Sequence, residues 1–306
     1  MKPLWNSLTP ESRDANNGLE MQTTDVLVLE KDYASRAMLC DVLLGAGLSV
    51  ACACSEVEAL ERLTTNTFRV ALWDATLSSS HGVEALRHRM EEMTPPGVIV
   101  MTGIDSPEVV CGALKTRAYD FVSKPIQADH LREVIQRALA ADAALASIEV
   151  LCAGHKWVEL LIPCVREAAE RLEHFLNALE QDLEVGLQEA IRLAFRELLL
   201  NAVEWGGRLD ATQRVRVLRI RGRGMLVYRI TDPGMGFRFD DLPHAAVGHQ
   251  EDDAIAHMQV REAQGMRAGG FGLVIVRAIA DELIYNERGN EVTFVKYFSD
   301  PAASSS

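Results

Sequence analysis

Between residue 23 and about residue 146, short apolar runs alternate with stretches whose apolar positions return every three or four residues. The runs at 26–29, 48–51, 70–73, 98–101 and 120–123 predict buried strands spaced about 22–28 residues apart. Between them, patterns such as 34–44 and 57–63 predict amphipathic helices. Five such units imply a parallel sheet covered on both faces by helices. Further on, Asp129 opens a pattern running to about Ile148, with Leu131, Val134, Ala138, Ala141, Leu145 and Ile148 at three-four spacing. That seam is long enough to suggest a coiled coil, and with it a homodimer. Its bland alternative is a last helix packed on its own sheet.

The pattern then changes. A strand ends at 160–163, and helices are predicted over 165–179 and 185–205. The second of these is apolar on most of its surface yet carries Glu197 and Asn201 one turn apart. Polar groups on a core-facing helix are costly unless they ligate something or are fully hydrogen-bonded. A strand at 225–231 runs into Asp232-Pro233-Gly234-Met235-Gly236-Phe237, and Gly269-Gly270-Phe271-Gly272-Leu273 opens an apolar helix expected to reach about Leu283. Glycines at a helix start let phosphate approach free backbone N–H groups. Each glycine cluster alone is a weak signal; their order after the Glu197–Asn201 helix is a strong one. Asp232, at a strand end with glycines behind it, is placed to accept from an adenine amine.

In an open parallel sheet, chemistry gathers at the carboxyl ends of the strands. Those ends here are Glu30-Lys31-Asp32, Asp74, Thr102 and Lys124-Pro125. Acids beside a lone aspartate, a hydroxyl and a lysine suit a carboxylate that accepts a phosphoryl group.

Composition narrows the partners. The 306 residues carry a net charge of −13, which speaks against a nucleic-acid effector. No apolar run approaches the roughly 20 residues of a membrane span, and no apolar signal-peptide core opens the chain. Six cysteines show no paired spacing, as expected of reduced thiols in a cytoplasm. The expected organisation is a disordered leader over 1–22, a first domain over 23–128, its last helix extended into a linker over 129–154, a second domain over 155–299 and a disordered tail over 300–306.

Through VLVLEKD, LWDATLSSSHG, MTG and YDFVSKP, the first half resembles response-regulator receivers, with their flavodoxin-like doubly wound five-stranded sheet. The resemblance implies Asp74 as phospho-acceptor, Thr102 as switch hydroxyl, Lys124 as phosphate contact, Phe121 as switch aromatic and Gly82 in the family's loop. It departs at Lys31, where receivers carry a second acid for Mg²⁺, and at Ser78, where they carry proline. Two accommodations stay open: Asp32 reaches in to hold Mg²⁺ with Asp74, or the Lys31 ammonium replaces the metal. A pseudo-receiver that only docks is the alternative to phosphorylation.

Through FRELLLNAVEWG, DPGMGF and GGFGL, the second half resembles the GHKL ATPase family. Its ending DELIYNERGNEVTFVKYF is most similar to the anti-sigma-factor serine kinases. That implies a two-layer α/β sandwich on a mixed sheet, ATP and Mg²⁺ as cofactors, Asn201 as Mg²⁺ ligand, Glu197 as general base and Asp232 as adenine reader. Gly234, Gly236, Gly270, Phe271, Gly272 and Leu273 would bind nucleotide, with 242–267 as a lid. The partners implied are an upstream sensor histidine kinase and an anti-anti-sigma-type protein or sigma factor. A non-catalytic, nucleotide-gated binding module is the alternative; an atypical histidine kinase is a weaker one, since His174 reads as surface decoration and His155 lies in a linker. Coupling between the halves is expected through the 129–148 helix.

Overall fold

The computed structural model describes residues 23–75, 97–103, 107–115, 118–141, 148–154, 156–236 and 272–299. Residues 23–140 build one sheet from β1 (Thr23–Leu29), β2 (Val50–Ala53), β3 (Thr67–Asp74), β4 (Gly97–Thr102) and β5 (Asp120–Ser123), in the order β2-β1-β3-β4-β5. All its pairings are parallel. Alternation along the strands divides the core. Val26, Val28, Val70, Leu72, Ile99 and Met101 pack with residues of α1 (Tyr33–Gly45), while Leu27, Leu29, Ala71, Trp73, Val98 and Val100 pack with those of α2 (Glu56–Thr65) and α3 (Pro107–Lys115). Strands buried on both faces in this way need the near-continuous apolar runs seen in the sequence. Strand β2 lies two residues later than its apolar run suggests, because Val50 pairs with Val26 and Ala53 with Leu29.

The expected helix from Asp129 to Ile148 is shorter. Helix α4 covers Ala128–Ala140 and stops at Ala141, whose backbone is extended (φ −68°, ψ 134°). Leu131, Val134, Ile135 and Ala138 are buried on their own sheet. Ile148 is buried beside the next strand, so the seam is not one continuous helix.

The second sheet comprises β6 (Glu149–Gly154), β7 (Trp157–Pro163), β8 (Arg214–Gly222), β9 (Met225–Thr231), β10 (Glu282–Tyr285) and β11 (Glu291–Tyr297), in the order β10-β11-β9-β8-β7-β6. Its described pairings are all antiparallel, where a mixed sheet was expected. Helices α5 (Arg166–Ala178), α6 (Val185–Asn201) and α7 (Gly272–Ile279) bring Leu172, Phe175, Ala194, Phe195, Leu198 and Val276 against Val158, Leu160, Val217, Ile230 and Phe294 of the strands. Helix α7 ends before Leu283, which belongs to β10.

Strand β8, RVRVLRIRG, alternates as a one-face-buried strand should, and its buried face carries Arg219 in phase with Val215 and Val217. It is tied to buried Glu180, which also accepts from the Tyr228 hydroxyl, so the charges are paired where water is absent. Helix α6 starts on a Glu184 carboxylate that accepts from the Gly186 and Leu187 N–H groups. Its last turn continues as a π-helix over Ala202–Gly206. Among the described residues no helix is long and apolar enough to cross a membrane, and all six cysteines are free thiols.

Candidate functional site

Two polar clusters stand out, one at the end of each sheet. In the first, register brings together what the sequence separates. Trp73 lies beside Leu29, Asp74 beside Met101 and Thr102 beside Ser123, which sets Glu30, Asp74, Thr102 and Lys124 at one sheet edge. Glu30, Asp74 and Thr102 are each 2% exposed. The Lys124 ammonium donates to Glu30 Oε2 at 2.6 Å and to Asp74 Oδ2 at 2.9 Å, and its backbone N–H donates to the Thr102 carbonyl at 2.6 Å. Burial alone would lower the Lys124 pKa; the hydrogen bonds and charges of Glu30 and Asp74 outweigh it, and the net shift is upward.

Neither accommodation of Lys31 is realised. Lys31 is exposed, and Asp32 caps α1, accepting the Ser35 N–H at 2.7 Å. Asp32 reaches Glu30 only through its own N–H, 2.9 Å from Oε1. The two buried carboxylates, Glu30 and Asp74, both pair with the Lys124 ammonium. Arg36, which the sequence reading missed, braces the loop by donating to the carbonyls of Glu30 and Lys31. Ser78 and Gly82 lie outside the described residues.

Phe121 is buried, but against the second half of the chain. Its ring stacks on His174 of α5 with centroids 4.3 Å apart and 12° between planes, and lies 5.3 Å from Phe175. His174 is therefore not surface decoration: its Nδ1 is also 2.8 Å from Asp120 Oδ1. His155 lies outside the described residues.

The second cluster lines a cavity of about 600 Å³, within the size range of small-molecule and cofactor sites. Glu197 and Asn201 of α6, Trp205 and Gly206 of the π-helix, Asp232, Gly234 and Gly236 after β9, and Gly272 and Leu273 of α7 all reach it. Gly270, Phe271 and the segment 242–267 lie outside the described residues. Close packing explains several glycines. A Cβ on Gly206 would come 2.2 Å from Asp232 Cγ, and one on Gly272 would come 2.3 Å from Glu197 Oε2. Gly236 has φ +79°, and a Cβ there would lie 1.8 Å from the Arg288 carbonyl oxygen. Gly206 and Gly272 thus bring backbone against the two acids, and Gly236 lies against the Arg288 backbone.

Asp232 is held from both sides. Its Oδ1 accepts the Gly234 N–H at 2.8 Å, its N–H donates to the Asn290 carbonyl, and its own carbonyl accepts from Asn290 Nδ2 at 3.0 Å. Asn290 belongs to the turn between β10 and β11, where Asn286 Oδ1 accepts the N–H groups of Gly289, Asn290 and Glu291. The NERGN sequence could have been read as a tight turn, but not as a brace for a residue 58 positions earlier. Burial raises the Asp232 pKa, only partly offset by the Gly234 N–H and the Arg288 charge. An acid whose folded pKa is raised weakens the fold as pH rises through the folded value. Asp232→Asn is therefore expected to raise the thermal midpoint of the nucleotide-free protein near neutral pH, while lowering adenine-nucleotide affinity about tenfold or more through loss of a charge-assisted hydrogen bond. Thermal melts and a nucleotide titration check the two halves of that expectation.

The donor set fits a Mg²⁺-nucleotide: an amide and an acid on one helix face, glycine backbone lining the cavity, and the half-buried Asp232 carboxylate in its wall.

Comparison with known proteins agrees with this division. A family model described as "Response regulator receiver domain" matches residues 26–136, and one described as "Histidine kinase-like ATPase domain" matches residues 162–296. The transcriptional regulatory protein ZraR of Escherichia coli (strain K12) is 33% identical over 117 residues, covering 38% of this chain and 26% of that protein. The chain thus matches about a quarter of the length of that relative. The transcriptional regulatory protein FixJ of Bradyrhizobium diazoefficiens is 28% identical over 198 residues, covering 58% of this chain and 97% of the relative. Among solved structures, a CheY-like receiver domain protein from Methanospirillum hungatei JF-1 is 25% identical, covers 39% of this chain and 94% of its own, and superposes with a TM-score of 0.35. The chain joins a response-regulator receiver domain to a histidine-kinase-like ATPase domain.

Proposed function

We propose that the chain is a two-component response regulator whose receiver half governs an ATP-binding output half, and that this output is a serine/threonine protein kinase of the anti-sigma-factor type. The observation carrying the proposal is that Glu197 and Asn201, one turn apart on α6, open into one cavity with Asp232 and the glycines. Its target would be an anti-anti-sigma-type protein or a sigma factor, and the donor to its receiver a sensor histidine kinase. The named relatives are transcriptional regulators, matched over 117 residues by E. coli ZraR and over 198 by FixJ, whereas residues 162–296 here match an ATPase model. Control is thus proposed to pass to nucleotide chemistry, consistent with the acidic chain.

Each residue then has a task. Asp232 accepts the exocyclic amine of adenine. Gly234, Gly236 and Gly272 allow the phosphates to approach backbone. Glu197 takes the proton of a target hydroxyl as its oxygen bonds to the terminal phosphorus and the bond to the bridging oxygen breaks, releasing ADP. Mg²⁺ held through Asn201 would neutralise the triphosphate. In the receiver, Asp74 would accept the phosphoryl group, with Lys124 and Thr102 at its oxygens.

Titration of the full chain with a fluorescent ATP analogue, with and without Mg²⁺, is the direct test. Saturable, Mg²⁺-dependent binding with a Kd on the order of 1–100 μM is expected. No binding would sink the proposal. Binding with stoichiometric capture of a partner, but no acid-stable phosphate on it, would reduce the output to a binding module.

A further inference from the structure

We infer that the ATPase half reads the state of the Asp74 pocket through the stack of His174 on Phe121, so that nucleotide occupancy and receiver state are coupled within one chain. The inference rests on the reading of the cavity as a nucleotide site. Its geometry begins at Lys124. That residue holds Glu30 and Asp74 through its ammonium and Thr102 through its backbone, and it follows Phe121 by three residues at the end of β5. A change at Asp74 that pulls on Lys124 therefore pulls on β5.

Strand β5 ends the sheet, yet Phe121 is only 3% exposed because α5 of the other half covers it. The contact is built to hold one position. Arg171 of α5, itself 5% exposed, donates from Nε to the Tyr119 carbonyl at 2.6 Å and from a terminal nitrogen to the Ala118 carbonyl at 3.4 Å. Its guanidinium carbon lies 4.1 Å from the centre of the Tyr119 ring. The Tyr119 hydroxyl donates to Glu167 of α5 at 2.6 Å. A buried cation satisfied by these carbonyls fixes the helix against the strand, because sliding would strand the charge. The core is continuous as well: Phe121, Val110 and Leu114 of the receiver belong to one apolar cluster with Leu172 and Phe175.

On its other side α5 grips α6. Glu173, next to His174, accepts from Arg192 at 2.9 Å and lies 3.7 Å from Arg196, the residue before Glu197. A shift of α5 is thus passed to the helix that carries Glu197 and Asn201. Helix α4, which stops at Ala140, meets the same joint: the His130 ring stands edge-on to His174 with centroids 6.5 Å apart, and Arg137 lies 3.4 Å from Asp120.

Coupling of this kind is reciprocal, so it can be read from the receiver when nucleotide is added. Hydrogen exchange of the full chain, followed by mass spectrometry with and without a non-hydrolysable ATP analogue and Mg²⁺, is the test. Peptides lining the cavity should become protected, and exchange across residues 118–124 should change by about fivefold or more. His174→Ala, and separately His174→Gln, which can keep a hydrogen bond to Asp120 but loses the stack, should leave cavity protection intact and remove the receiver response. Protection of the cavity with no change at 118–124 in the wild type would overturn the coupling while leaving the nucleotide site standing. An undiminished response in both His174 variants would overturn it as well. No protection anywhere would instead mean that the cavity takes no nucleotide, and the coupling would fall with that reading.

Discussion

Phosphoryl transfer by the Glu197→Gln variant is expected to fall by about 10²–10⁴-fold, the usual contribution of a positioned general base, while nucleotide affinity stays close to wild type. Glutamine keeps the shape of the side chain and a polar end, so the packing of α6 against α7, where Gly272 lies against Glu197 Oε2, is retained. Only the capacity to take a proton is lost. Single-turnover transfer to a protein partner, run beside a titration with the ATP analogue, separates the two effects. A variant that binds nucleotide but does not transfer identifies Glu197 as the base. Transfer at the wild-type rate would show that the proton goes elsewhere, and a variant that loses both would place Glu197 in binding instead.

How far the sequence reveals this site depends on the range of the interactions involved. The Glu197–Asn201 face is legible because four-residue spacing on a helix is a local property, and the structure opens both into the cavity with the separately read Asp232 and glycines. The parallel sheet is legible for the same reason: strands buried on both faces must be apolar throughout. Other features depend on partners far away in the chain. Nothing near Asp232 announces that Asn290 will brace it, and nothing near Phe121 announces that His174 will stack on it. His174 looks like an ordinary polar position on an amphipathic helix until a second body covers it.

The over-long helix after Asp129 shows the converse. Three-four spacing persists from α4 through Ala141 and Ile148, but periodicity cannot distinguish a helix that continues from an apolar residue that re-enters the core in a strand-flanking position. Here tertiary packing decides, drawing Ile148 into the core beside β6. The antiparallel pairing of the second sheet was likewise hidden, since strand direction follows from connections and not from the composition of any one strand. In the receiver pocket the sequence singles out Lys31, which the structure leaves exposed. It could not show that Lys124 would bridge both buried acids while Asp32 turned to cap α1.

Asn201→Ala isolates the remaining role in the nucleotide site. Alanine is the best helix former, so α6 and the π-turn that follows Asn201 should persist, and thermal melts can confirm it. What disappears is a side-chain amide oxygen at the cavity wall, one turn beyond Glu197. If that oxygen supports Mg²⁺ on the triphosphate, nucleotide affinity in the presence of Mg²⁺ should drop on the order of 100-fold, the upper end of losses when a group supporting a bound metal is removed. Affinity in excess chelator should barely move, because the metal's contribution is already gone in both proteins. The informative quantity is thus the ratio of the two affinities: large in the wild type and near one in the variant. Asp232→Asn supplies the contrast, since it should weaken binding with and without Mg²⁺ alike and leave the ratio unchanged. A ratio that survives Asn201→Ala would mean that the metal is held by other groups, and that this asparagine serves only to shape the cavity.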